Sequence, residues 1–161
     1  MAQDDARAGG LTDIERRTLE AVLNEIIPPS NDPRMPGAGD LGVAASIEER
    51  LCETPGLRPG IAQGLADVDG LARERGAVPF AELPRDVRAE VLRELGDRAA
   101  AFLPTLIFLA YAAYYQNPRV LTALGLEPRP PFPDGYEVPS TDLSILDPVR
   151  RRPAIYRKTP S

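Results

Sequence analysis

Apolar residues recur at three- and four-residue spacing through the first three quarters of the chain, and that period predicts helices. Thr12 and Glu15 have the T-x-x-E spacing of a capping box, in which each side chain satisfies the other residue's free backbone N–H. Ile14, Thr18, Leu19, Val22, Leu23, Ile26 and Ile27 follow on one helical face, with Glu20 and Glu25 opposite. Pro28–Pro29 stops this first helix, because neither residue donates an N–H and each disfavours αR in its predecessor.

Residues 30–39, SNDPRMPGAG, read as a turn-rich loop. Asp40 is expected to cap a second helix running to about Leu51, with Leu41, Ala44, Ile47 and Leu51 on one face. A third covers roughly 60–75, placing Ile61, Leu65, Val68 and Ala72 together and leaving Gly76 to close it in the left-handed conformation. Gly64 and Gly70 inside it each cost about 1 kcal/mol relative to Ala, so close helix–helix approach is expected at both. Phe80 and Leu83 anchor the approach to a fourth helix opened by Pro84. Its Val87, Val91, Leu92 and Leu95 face inward, while Arg85, Asp86, Arg88, Glu90, Arg93 and Glu94 face water.

The stretch 99–115 is apolar nearly all round, the mark of a central helix that others pack around, with Pro104 in its first turn. At 17 residues, interrupted by Pro104 and Thr105, it falls short of the roughly 20 apolar residues of a membrane span. A short helix over 118–124 ends at Gly125. Residues 127–161 then hold eight of the 18 prolines together with Phe132, Tyr136, Leu143, Ile145, Leu146, Val149, Ile155 and Tyr156. So many large apolar groups in a proline-rich segment predict an extended strap that docks on a surface, its prolines reducing the entropy lost on docking.

The expected fold is therefore all-α: a single compact domain of about five helices over 11–126 around the apolar central helix. A disordered tail over 1–10 precedes it, and the proline-rich extended strap over 127–161 follows. With 161 residues, 43% hydrophobic and 27% charged, the chain is long and apolar enough to fold. The net charge of −5 is unevenly spread. Five of the 19 basic residues lie in 149–161, which has no acid, leaving 14 basic against 24 acidic side chains before it. An acidic body repels phosphate backbones, so nucleic acid is not expected as a partner.

The absence of His, with one Cys (Cys52), removes His-based triads and His-containing zinc sites. Cys52 reads as a small apolar residue at the end of the second helix. Glu48, Glu49 and Glu53, or Glu90 and Glu94, are the remaining acid clusters, and interspersed arginines make each a solvated helix face. Asp67 and Asp69 point to different sides of a helix and make no dyad. Tyr111, Tyr114 and Tyr115 read as packing groups whose hydroxyls reach the rim. No catalytic, cofactor-binding or metal residue is assigned.

The ordered segments LTDIERRTLEAVLNEIIP (11–28), PGAGDLGVAASIEERL (36–51), GLADVDGLARERGAVPFAEL (64–83) and FLAYAAYYQNPRVLTALGL (108–126) resemble the gluconate 2-dehydrogenase subunit 3 family. The ending PDGYEVPSTDLSILDPVRRRPAIYRK (133–158) is similar to tails of that group. The resemblance implies an accessory small subunit that helps fold and assemble a larger flavoprotein of the glucose–methanol–choline (GMC) type. That partner holds FAD and oxidises a sugar or glycoside, as dehydrogenase or oxidase. The expected contact residues are Phe132, Tyr136, Leu146, Val149, Arg152, Ile155, Tyr156 and Arg157, since aromatic and arginine anchors dominate interfaces.

The opening MAQDDARAGG has no apolar core, and Arg16–Arg17 lies within an amphipathic pattern, so neither makes an export signal. A cytoplasmic location is expected, or a periplasmic one if the chain travels with its partner, and no direct membrane insertion. The alternative is a free-standing helical adaptor or regulator whose partner is not a flavoprotein; an enzyme working through carboxylates alone is a third reading.

Overall fold

The structure is a computed structural model and describes residues 10–99, 101–129, 132–133, 135–137 and 140–153. The capping box forms: Thr12 Oγ1 accepts from the Glu15 N–H at 3.3 Å, and Glu15 Oε2 accepts from the Thr12 N–H at 2.8 Å. Helix α1 (Asp13–Ile26) follows, burying Thr18, Leu19, Ala21, Val22 and Leu23. Two of its residues depart from the expected faces. Ile14, in the first turn, is exposed, because the packed stripe begins one turn later. Glu25 is nearly covered and pairs with Arg88 at 2.9 Å and Arg85 at 3.7 Å, so charges expected in water instead join two helices.

The loop after α1 folds back onto it. Asn24 Oδ1 accepts from the Gly39 N–H at 2.8 Å, and Asn24 Nδ2 donates to Asp40 Oδ1 at 3.1 Å. A Cβ on Gly39 would sit 2.1 Å from the Glu20 carbonyl oxygen, so only glycine lets the loop lie this close. Asp40 is thereby occupied and does not cap the second helix as expected. A single 3₁₀ turn (Gly39–Leu41) intervenes, and Gly42 (φ 77°) leads into α2 (Val43–Glu53), which buries Val43, Ala44, Ile47 and Leu51.

Helix α3 (Arg58–Gly76) buries Ile61, Leu65, Val68 and Ala72 as their spacing predicts. The left-handed residue that closes it is Ala77 (φ 57°), one position beyond Gly76. Gly76 has another reason to lack a side chain: a Cβ there would lie 2.7 Å from Leu83 Cδ2. Gly64 meets the expectation of close approach, since its Cβ would fall 2.0 Å from the Phe102 ring. Gly70 does not, having nothing within 4 Å; the structure gives no reason for a glycine there.

Helix α4 (Arg85–Arg98) directs Val91 and Leu95 into the core, with Val87 and Leu92 partly covered. Helices α5 (Phe102–Tyr114) and α6 (Pro118–Ala123) complete this unit, which spans residues 1–129. The core lies where α1 meets α2 and α3, α3 meets α4, and α5 packs on α1, α2 and α3. One buried carboxylate bonds across it. Asp69 accepts from Thr18 Oγ1 (α1) and from the Phe80 backbone N–H, both at 3.0 Å. Tyr114 is also buried and donates its hydroxyl to the Pro36 carbonyl at 2.8 Å; burial raises its phenol pKa above the ordinary value.

The all-α domain expected from the pattern is what the structure shows, with no strand among the described residues. Among the described residues of this unit, α5 is covered on one side only. Phe102, Leu106, Leu109, Ala110 and Tyr114 are buried, whereas Ile107, Phe108, Tyr111 and Tyr115 are exposed.

The second unit, residues 130–161, has little regular structure among its described residues. A 3₁₀ turn (Leu143–Leu146) runs directly into the four-residue α7 (Asp147–Arg150). Asp142 caps the turn, accepting from the Ser144 N–H at 2.9 Å and its hydroxyl at 2.8 Å, and these bonds hold the Asp142 carboxyl below the usual range.

Candidate partner interface

The carboxylates left as the only acid or base candidates are largely engaged in holding helices together. Glu48 receives a two-pronged bond from Arg16, Nε to Oε1 at 2.7 Å and Nη2 to Oε2 at 2.9 Å, which joins α1 to α2 and raises the guanidinium pKa. Glu53 pairs with Arg50 at 3.1 Å. Arg75 bridges Glu90 and Glu94, and Glu94 also meets Arg98. Asp67 lies on the surface accepting from Gln63, while Asp69 points inward, so the two face different sides of α3. Among the described residues no three His, Cys, Asp or Glu side chains gather as metal ligands. Cys52 stands exposed in the last turn of α2 rather than packed as a small apolar residue, because Leu51 takes the inward position beside it.

Of the expected contact residues, Phe132 is 83% exposed, and Tyr136, Leu146 and Val149 are also exposed. Leu143 and Ile145 add to the apolar surface of that unit. Arg152 is exposed two residues after α7. Ile155, Tyr156 and Arg157 lie outside the described residues.

A second apolar surface, where the sequence predicts a helix packed on all sides, lies on α5. Pro104, Ile107, Phe108, Tyr111 and Tyr115 follow one another at helical spacing on its outer side, with Phe108 71% exposed. The Tyr111 and Tyr115 rings lie 5.7 Å apart, and Tyr115 meets the buried Tyr114 edge-on at 5.2 Å. That contact anchors the outer aromatic row to the core. Beside the row runs a groove of about 620 Å³ between α5 and α2, with Phe108, Ala112 and Gln116 on one wall and Ser46, Glu49 and Glu53 on the other. The signal was present in the sequence, since no charged residue occurs between Arg98 and Arg119. Such a composition predicts complete burial, but a helix packed from one side produces the same composition when its other side also needs to be apolar.

Among the described residues both surfaces are apolar and suited to docking. Large apolar patches left on a folded surface mark interaction sites. Residues 13–127, from the first turn of α1 to just beyond α6, match the family model described as gluconate 2-dehydrogenase subunit 3. The chain belongs to that family. The segment 133–158, read as a similar tail, lies beyond the matched residues. Neither the curated proteins nor the solved structures compared with the chain provide a match.

Proposed function

We propose that this chain is the non-catalytic small subunit of an FAD-dependent sugar or glycoside dehydrogenase or oxidase, binding a larger GMC-type flavoprotein and stabilising its fold. The observation that carries the reading is the match of 13–127 to a family named for a subunit of gluconate 2-dehydrogenase. The structural commitments of Glu48, Asp69, Glu90 and Glu94 agree with it, because a carboxylate holding two helices together is poorly placed to shuttle protons. In this reading FAD resides in the large subunit and the small one supplies surface. Phe132, Tyr136, Leu146, Val149 and Arg152 on the exposed tail contribute contacts, as do Ile155, Tyr156 and Arg157.

Co-expression tests the proposal. The FAD-dependent large subunit from the same organism, produced with and without this chain, is assayed for soluble protein and bound flavin. Soluble yellow protein should fall several-fold when the chain is left out. Equal yield and equal flavin content in both cases would contradict the stabilising role.

A further inference from the structure

We propose that the outer row of α5, led by Phe108 and Tyr111, is the main docking surface for the flavoprotein large subunit. This rests on the small-subunit reading and specifies the surface that acts in it. The outer row of α5 lies inside 13–127, the segment that the family model matches. Inside that segment α5 carries the contiguous exposed aromatic row, and Tyr111 and Tyr115 are braced through Tyr114, which is held in the core by its bond to Pro36. Rigid aromatic anchors of this kind supply most of the energy of typical interfaces.

Charge distinguishes among possible occupants. The α2 wall of the adjoining groove bears Glu49 together with the Glu53–Arg50 pair, so its surplus charge is negative. Helices that lie in a bilayer surface carry lysine and arginine along their polar flank. Helix α5 has neither, and acidic groups edge its groove, an arrangement repelled by anionic headgroups. No helix among the described residues is by itself long and apolar enough to cross a membrane. The surface fits a protein that offers an apolar recess for Phe108 and Tyr111, with an arginine or lysine at its edge opposite Glu49.

The test uses the full chain and the FAD-containing large subunit of the same organism, with affinity measured by calorimetry. Phe108→Ser combined with Tyr111→Ser should weaken binding about a hundredfold or more, as loss of two central aromatic anchors does. The helical circular dichroism should stay unchanged, since both side chains lie outside the core. Glu49→Lys should weaken binding about tenfold at low salt, with the difference disappearing at high salt. Ile14→Ser, removing an equally exposed apolar residue from α1, should have no effect.

Wild-type affinity in the serine pair, with the wild-type chain binding normally, would overturn the α5 assignment and leave the small-subunit reading intact. Should the serine pair fail to fold, Glu49→Lys decides at an exposed position, and unchanged binding there overturns the assignment. Failure of the wild-type chain to bind the flavoprotein would overturn both. So would α5-dependent binding to phosphatidylglycerol vesicles, or α5-dependent self-association, in place of flavoprotein binding.

Discussion

Replacing Asp69 with alanine should lower the stability of the chain by about 4 kcal/mol, a large share of the 5–15 kcal/mol typical of a folded domain. Asp69 is buried on α3 and accepts from two donors that are themselves inside, the Thr18 hydroxyl and the Phe80 backbone N–H. Alanine leaves both without their protein partner, and each orphaned donor costs about 1–3 kcal/mol. The affected contacts join α1, α3 and the short turn before α4, so the loss falls on the whole helical unit. Asp69→Asn keeps an acceptor for Phe80 and offers a donor to the Thr18 oxygen, so it should cost less than half as much. Urea unfolding of the three proteins tests this, and an alanine variant within about 1 kcal/mol of wild type would show that the bonds add little beyond what water supplies to the unfolded chain.

The second large effect concerns glycine. Gly64→Ala should destabilise by about 2–3 kcal/mol, the upper part of the usual range for overpacking, despite alanine's higher helix propensity. The added carbon would lie 2.0 Å from Cδ2 of Phe102, with two further ring atoms within 2.4 Å, and that ring is itself buried. To admit the added carbon, the ring must turn away from its packed position or the start of α5 must move. Gly70→Ala, six residues along the same helix, meets nothing within 4 Å and should stabilise by about 0.5–1 kcal/mol. Opposite signs from the same substitution in one helix are measured by thermal or denaturant melts. Phe102→Leu in the Gly64→Ala background should recover part of the loss. A neutral Gly64→Ala would mean that the ring has space to shift.

These two positions also show where local sequence information stops. Helix periods, the Thr12–Glu15 box, the proline stops and the glycine near 125 are local, and they located six helices of the first unit to within a few residues. Partners across the fold were not legible. Nothing near Glu25 in sequence signals Arg88 above it, and nothing near Gly39 signals the Glu20 carbonyl against it. Gly64 and Gly70 look alike along the chain because the Phe102 ring that separates them arrives from 38 residues away. The same blindness affects the outer surface of α5. Composition gives the hydrophobicity of α5 but not which side its neighbours cover, so the exposed Phe108 was indistinguishable from the buried Leu106. For the tail the sequence predicts docking because its large apolar residues have no periodic element in which to be buried, and among the described residues Phe132, Tyr136, Leu146 and Val149 are exposed.

Native mass spectrometry of the co-purified pair speaks to the division of labour itself. The expected species contains one copy of this chain, one large subunit and one FAD, and dissociation should release this chain free of flavin and unable to oxidise a sugar in a dye-linked assay. Flavin retained on the isolated chain, sugar oxidation by it alone, or a stable colourless partner in place of the flavoprotein would contradict the assignment.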